Sequence, residues 1–182
     1  MATPFDKQIS NRNFLSPIGF QFSLAKEPKV PFFCNSAKIP EITFPPLEQP
    51  SYLKNISVPA TKLQYGDLML RFLVDEDMTN YLAVYKWMIG LGFPESAKQF
   101  KEFTKGVRED EIDYLDQYSD GSLTILNSNY NPVVVVKFKD LFPTSLSSVE
   151  FNTIDTDINY FTAEVVFTYT VYDILDKNGE LL

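Results

Sequence analysis

The chain has 182 residues, 45% of them apolar and 22% charged, which suits one buried core and excludes a chain disordered throughout. Its formal net charge of −8 gathers late: residues 140 to 182 hold Asp140, Glu150, Asp155, Asp157, Glu164, Asp173, Asp176 and Glu180 against Lys177 alone, a sign that repels phosphate and disfavours sequence-specific nucleic-acid binding. There is no histidine and one cysteine, Cys34, which excludes a disulfide framework, a cysteine zinc cluster and the Ser-His-Asp and Cys-His arrangements.

Residues 1–13 are polar and aperiodic and are expected to form a flexible N-terminal arm. They carry no apolar core of signal-peptide type, and the longest apolar stretch, YLAVYKWMIGLGF, is short and interrupted by Lys86. Neither a targeting segment nor a membrane span is expected, and a cytoplasmic site of synthesis is the default expectation. PIGFQFSLA then alternates, with Phe20, Phe22 and Leu24 on one side, and predicts a first strand. After a polar turn at Lys26–Lys29, VPFFCNSA is a second strand candidate, and the two are expected to form a hairpin. Cys34, inside it, reads as a small buried hydrophobe.

Between residues 40 and 59 lie Pro40, Pro45, Pro46, Pro50 and Pro59. Proline lacks the donor that a central strand needs, so this Pro-rich segment is expected to loop outward as an arm, with LKNISV its one strand-like piece. GDLMLRFLV follows as a strand with Leu68, Leu70 and Phe72 on one face. At Asp75-Glu76-Asp77 the period changes: Met78, Tyr81, Leu82, Tyr85, Met88 and Ile89 recur at three and four residues and predict a helix over residues 77–92 packing through that stripe. The acids suit its N-terminus and explain themselves as capping rather than as metal ligands, while Gly90, Gly92 and Pro94 stop it. Trp87 is expected in the core.

Residues 94–121, including a weaker helix over 95–106 and a turn at Asp120-Gly121, read as an insertion on the outside of the sheet. SLTILN and PVVVVKFKD flank NSNYNP as a hairpin. The run from Pro132 to Asp173 reads as two strands joined by a long turn, the second with Phe161, Ala163, Val165, Phe167, Tyr169 and Val171 on one face. That second strand is roughly twice the ordinary length, a hint of assembly. High aromatic content, 16 Phe and 10 Tyr, also favours pleated structure. The expectation is a mainly β (α+β) fold: a two-sheet β-sandwich or barrel with one flanking helix, occupying residues 14–175 and followed by a C-terminal tail, 176–182.

Four segments, in order, resemble the tail tube proteins of T4-like contractile-tailed bacteriophages and, more distantly, the tube proteins of type VI secretion. PFFCNSAKIP is similar to the family's aromatic-Cys-x-x-Ala-x-x-Pro segment; YGDLMLRFLVDEDMTNYLAVYKWM is a strand, an Asp-Glu pair and a helix with Trp near its end; DLFPTSL looks like an aromatic-Pro-Thr turn; FTAEVVFTYTVYDI is the long last strand. The resemblance runs from about Phe14 to Ile174. It implies a structural virion protein, not an enzyme, whose copies form a ring, in the family a hexamer, with inner sheets joined into a continuous barrel. Stacked rings would make the channel for DNA ejection. It further implies contacts with itself, with tail sheath, baseplate and tape measure proteins, and with genomic DNA passing through the lumen without sequence-specific binding; no membrane is involved. An acidic lumen would let DNA slide, and the acidic C-terminal quarter is a candidate for that wall. The 40–59 loop and the acidic tail after Asp173 depart from the family pattern, so two roles stay open: the repeating tube subunit, or a single-ring adaptor at the baseplate or head-proximal end. DLFPTSL reads equally as an ordinary turn or as a subunit contact.

A third reading, a metal-dependent hydrolase on a β-sandwich, would pair Asp155 and Asp157 with Asp120 or Glu164. Carboxylates two apart in a polar turn are ordinarily just solvated, and no catalytic, cofactor-binding or metal residue is assigned.

Overall fold

Alternation of apolar and polar side chains generates nearly all of this structure, and one strand organises it. The computed structural model describes residues 15, 19–27, 34–92, 117–151, 160–177 and 179–182. The 1–13 arm, the 95–106 helix, most of the 94–121 insertion and the pair Asp155 and Asp157 lie outside the described residues. In chain order the elements are β1 (Phe20–Leu24), β2 (Cys34–Lys38), β3 (Ile42–Thr43), β4 (Leu47–Gln49), β5 (Ile56–Val58), β6 (Gln64–Tyr65), β7 (Leu68–Leu73), α1 (Thr79–Gly92), β8 (Ser119–Leu126), β9 (Pro132–Leu146), β10 (Thr162–Thr168) and β11 (Val171–Asp176).

The organising strand is β9, 15 residues long. Its first half pairs with β8 on one side and β11 on the other, Val136 lying opposite both Leu123 and Ile174. Its second half pairs with β10, Leu146 opposite Val165. Two antiparallel four-stranded sheets therefore share it: a first, β1-β8-β9-β11, and a second, β9-β10-β7-β2. The chain changes sheet at Asp140, whose φ of 54° is left-handed, and β8 carries a register shift at the same level, between Ser119 and Gly121. A bulge with one left-handed residue is the usual way to turn a sandwich corner. Gly121 belongs there because a Cβ would lie 3.2 Å from the Leu141 side chain and 3.3 Å from the Phe22 ring. Asp120-Gly121 is thus an in-strand bulge and not the expected turn.

The inner faces carry the core. Phe22, Leu24, Leu123, Val136 and Phe138 of the first sheet meet Leu68, Leu70, Phe72, Ala163, Val165 and Phe167 of the second, each 3% exposed or less. Phe22 and Phe167 meet across the layers at 6.2 Å between centroids. The alternations expected for β1 and β7 hold residue by residue, as does the hairpin at NSNYNP, where Asn127 Oδ1 accepts from the amides of Asn129 and Asn131 at 2.9 Å.

Four further expectations are corrected. β1 and β2 do not form a hairpin: β1 pairs with β8 and β2 with β7, so the chain between them crosses from one sheet to the other. The long final strand breaks at Tyr169-Thr170 into β10 and β11, because each half pairs with a different half of β9. The break shifts the phase by one residue, so Tyr172 faces Phe138 while Val171 lies on the outer side, opposite Lys139. DLFPTSL is not a turn but the second half of β9, where Pro143 is tolerated at an edge beside the register shift of β10.

The fourth correction concerns α1. It begins at Thr79, after Met78 at φ 53°, and packs through Asn80, Val84, Trp87 and Gly90, leaving Leu82 and Tyr85 of the expected stripe exposed. The helix is apolar nearly all round, so spacing alone does not fix which face goes in. Asn80 fixes it. Its buried amide donates to Leu73 O at 2.7 Å, and its Oδ1 accepts from the amides of Tyr81 and Asp75. The acids precede the helix rather than occupying its first turn, and the Asp75 carboxylate accepts from Asn80 Nδ2 at 3.3 Å. Trp87 stacks near Phe167 at 6.2 Å, donates its indole N–H to Gln117 O and lies under the Lys26 ammonium at 5.3 Å.

Two substitutions test this account by chemical denaturation. Phe138→Ala should lower stability by about 3–5 kcal/mol. Asn80→Ala, which orphans Leu73 O and two amides, should cost about 1–3 kcal/mol.

Candidate functional site

The Pro-rich stretch becomes a projecting arm. Its base is closed by the Gly66 amide donating to Glu41 O at 3.0 Å and by β3 against β6, Ile42 opposite Tyr65. Further out β4 pairs with β5, Leu47 opposite Val58 and Gln49 opposite Ile56, and Asn55 Nδ2 donates to Glu48 Oε2 at 2.9 Å. A two-stranded ribbon away from the core cannot bury its side chains. Ile42, Phe44, Leu47, Ile56 and Leu63 are about half exposed, and at the tip Tyr52 is 101% and Leu53 91% exposed. Exposed apolar side chains gathered on one arm in this way mark an interaction site. Burying each such side chain against a partner gains about 1.5–3 kcal/mol.

Rigidity at the base comes from an aromatic cluster. Tyr65 of β6 sits 6.2 Å from Tyr169 and 5.7 Å from Tyr172, and both of these rings lie against Phe138, at 5.1 and 5.7 Å. Tyr169, at the break between β10 and β11, donates its hydroxyl to Gly66 O at 2.8 Å, and Tyr172 donates to Pro40 O at 3.4 Å. The two phenols thus hold both ends of the arm. Burial pushes both Tyr169 and Tyr172 above the ordinary tyrosine range, helped for Tyr169 by Tyr172, Asp67 and Tyr65 and for Tyr172 by Tyr65.

At the opposite ends of β7 and β10 an apolar cleft of about 590 Å³ opens between Leu73, Val74, Met78, Val149, Phe151, Tyr160 and Phe161, with Asp75 and Glu76 on its rim. Each sheet carries one ion pair on its outer face. Arg71 pairs with Glu164 at 3.0 Å on the second sheet, and Lys139 with Asp173 at 2.7 Å on the first, which raises the lysine's pKa.

Among the described residues no reaction centre is assembled. Of the two alternative partners for Asp155 and Asp157, which lie outside the described residues, Glu164 is engaged with Arg71 in β10 and Asp120 lies in β8 of the other sheet. Among the described residues no three His, Cys, Asp or Glu side chains are placed to hold a metal ion. Cys34 packs against the core half-buried, and burial pushes its thiol up to about 12, the protonated and inert form. No helix among the described residues is long and apolar enough to cross a membrane. Sequence reasoning marked the arm by its prolines but missed the tyrosine anchor, since Tyr65, Tyr169 and Tyr172 are brought together only by β6 docking beside the β10–β11 break.

The chain matches the family of phage tail tube proteins over residues 2–175. The tail tube terminator protein of Enterobacteria phage T4 is 23% identical over 150 residues, covering 81% of this chain and 78% of that protein. Among solved structures, the tube-terminating cap of the anti-feeding prophage is similar with a TM-score of 0.60 at 16% identity, covering 96% of this chain and 99% of that one. The sheath-tube complex of the extracellular contractile injection system PVC contains a chain similar with a TM-score of 0.57 at 16% identity, covering 97% and 99%.

Tyr169→Phe removes the bond to Gly66 O, worth about 1 kcal/mol, and should speed tryptic cleavage at Lys54 and Lys62 about five-fold with little change in global stability. The raised phenol pKa adds a pH dependence: the anchor's contribution is complete below about 10, the ordinary tyrosine value, and fades as pH climbs above it. Arm cleavage followed against pH should accelerate only on that alkaline side.

Proposed function

The chain belongs to the phage tail tube protein family, a structural component of the virion tail and not an enzyme, and from that premise we propose that it ends the tail tube as a single-ring, terminator-like protein. The observation that carries this is the relationship to the T4 tail tube terminator over most of both chains. Likeness to the anti-feeding prophage cap and to the PVC sheath/tube terminator, TM-score 0.56, supports the same role. Of the two roles left open by the sequence, these relatives favour the single-ring adaptor over the repeating subunit. The sheath-tube likeness gives the repeating subunit its remaining support, because tube and terminator chains share one fold. The hydrolase reading falls with family membership.

In this role the chain's first partner is itself, as a ring with six copies as the family expectation. Its axial neighbours are the tail tube and sheath, with tape measure and baseplate proteins as fellow tail components, and genomic DNA crosses the ring without sequence readout. The arm suits such contacts. Its tip offers apolar area with no use inside the monomer, on a base that the tyrosines hold in place, so little ordering entropy is lost on docking.

Light scattering followed by negative-stain imaging of the purified chain should find discrete rings that do not lengthen with concentration. Spontaneous growth into long tubes would return the chain to the repeating-subunit role, and a monomer at micromolar concentration would remove both. Replacing the tip by Tyr52→Ser with Leu53→Ser should leave unfolding stability within about 0.5 kcal/mol while weakening association with the tube by about ten-fold or more.

A further inference from the structure

We infer that residues 179–182 are an edge guard: they hold the outer edge of β11 closed, and their release exposes that edge to pairing with a second copy of this chain. The inference is independent of the terminator reading, because it concerns a contact the subunit avoids and not one it makes. A strand at the end of a sheet presents main-chain donors and acceptors that another chain can take up, and folded proteins cover or blunt such edges.

The guard is a small hairpin. Gly179, left-handed at φ +84°, donates its amide back to Asp176 O at 2.9 Å, the form of a hairpin loop closed by a glycine bulge. The returning residues then pair with β11. The Asp176 amide donates to Glu180 O at 2.8 Å, the Leu182 amide donates to Ile174 O at 3.1 Å, and Leu175 bridges Leu181. Alternate residues of an antiparallel strand turn their main-chain groups to the same side. Ile174 and Asp176 therefore face away from β9, and these bonds occupy the groups that a neighbouring strand would take. Within β11 this leaves one outward position, Tyr172, whose ring lies 5.7 Å from Tyr65 at the base of the arm.

Without this cover β11 would be a ready acceptor. Its sequence, VYDILD, holds neither lysine nor proline, the residues that ordinarily blunt an edge. Of its two acids, Asp173 is already held by Lys139 at 2.7 Å, so its charge does little to repel an incoming strand. The cover also shields apolar surface. Leu175 is only 8% exposed although it stands opposite Val135, on the outer side of the sheet, and the bridge sets Leu181 beside it.

Gly179 sets the direction of the returning chain through its backbone alone. A Cβ built there meets nothing within 4 Å, so a side chain at this position is resisted only by the left-handed φ. A β-branched residue resists that conformation strongly, whereas asparagine adopts it readily. Substitution at this one position can therefore open the guard without disturbing any packed side chain, and the identity of the substituent decides whether it opens.

The test compares the unsubstituted full chain with Gly179→Val, Gly179→Asn and the double variant Gly179→Val with Leu182→Pro, which also removes the amide that bonds Ile174 O. Amide hydrogen exchange reads the guard, thermal unfolding reads the fold, and light scattering over a concentration series reads association. Gly179→Val should speed exchange of the Asp176 and Leu182 amides about ten-fold at an unchanged unfolding midpoint. The same variant should form particles heavier than those of the unsubstituted chain and growing with concentration, the double variant more so, while Gly179→Asn matches the unsubstituted chain in both readouts. The inference is overturned if the double variant keeps the Asp176 amide protected, if it opens that amide and its particle mass stays that of the unsubstituted chain, or if Gly179→Asn associates as Gly179→Val does. The mass of the unsubstituted particle, whether ring or single chain, bears on the terminator reading and leaves this comparison intact.

Discussion

Everything in this molecule depends on β9 serving two sheets. A strand pairs on two sides only, and β9 divides those sides by position: β8 and β11 along its first half, β10 along its second. Once Asp140 turns the strand at φ 54°, the inner faces must confront one another, and the large side chains Phe138 and Phe167 occupy the space between. The same division breaks the last long strand at Tyr169-Thr170. An unbroken strand cannot follow β9 round its corner without losing its register, and the residue at the break is free to turn its ring toward the arm.

That freedom links the core to the arm. Tyr169 and Tyr172 lie on either side of the break, each packs on Phe138, and each reaches a main-chain carbonyl at one end of the arm. An apolar ribbon hinged loosely to a domain would sample many directions and invite nonspecific contact. Fixed at its base by buried phenols, it presents Tyr52 and Leu53 in a defined place. The geometry is that of a binding element prepared before its partner arrives, in a protein whose family works by assembly.

Charge is arranged to the same end. The net −8 suggests an acidic object throughout, yet each outer face also carries cations, one of which it pairs in place, Arg71 with Glu164 and Lys139 with Asp173. Exposed pairs of this kind add little stability. Their effect is local, because a cation already paired with a carboxylate has less charge to offer a phosphate.

The sequence by itself determined most of the pleated core segments, which side of β1, β7 and β10 is apolar, that one helix follows β7, and that the prolines force a loop outward. These follow from local rules: a period of two, a period near 3.6, and a missing N–H. It also carried the family, through segments whose order survives in the chain. Only the tertiary structure decided which strands pair, because β1 and β2 are adjacent in sequence and alternate equally well yet belong to different sheets. It decided the phase of α1, where a helix apolar on most sides is oriented by one buried amide, Asn80, and its three backbone partners. It decided that DLFPTSL is strand and not turn, and that residues 180–182 close the edge of β11. Pairing, phase and edge are relations between distant segments, set by which surfaces meet when the core closes, and no local pattern encodes them.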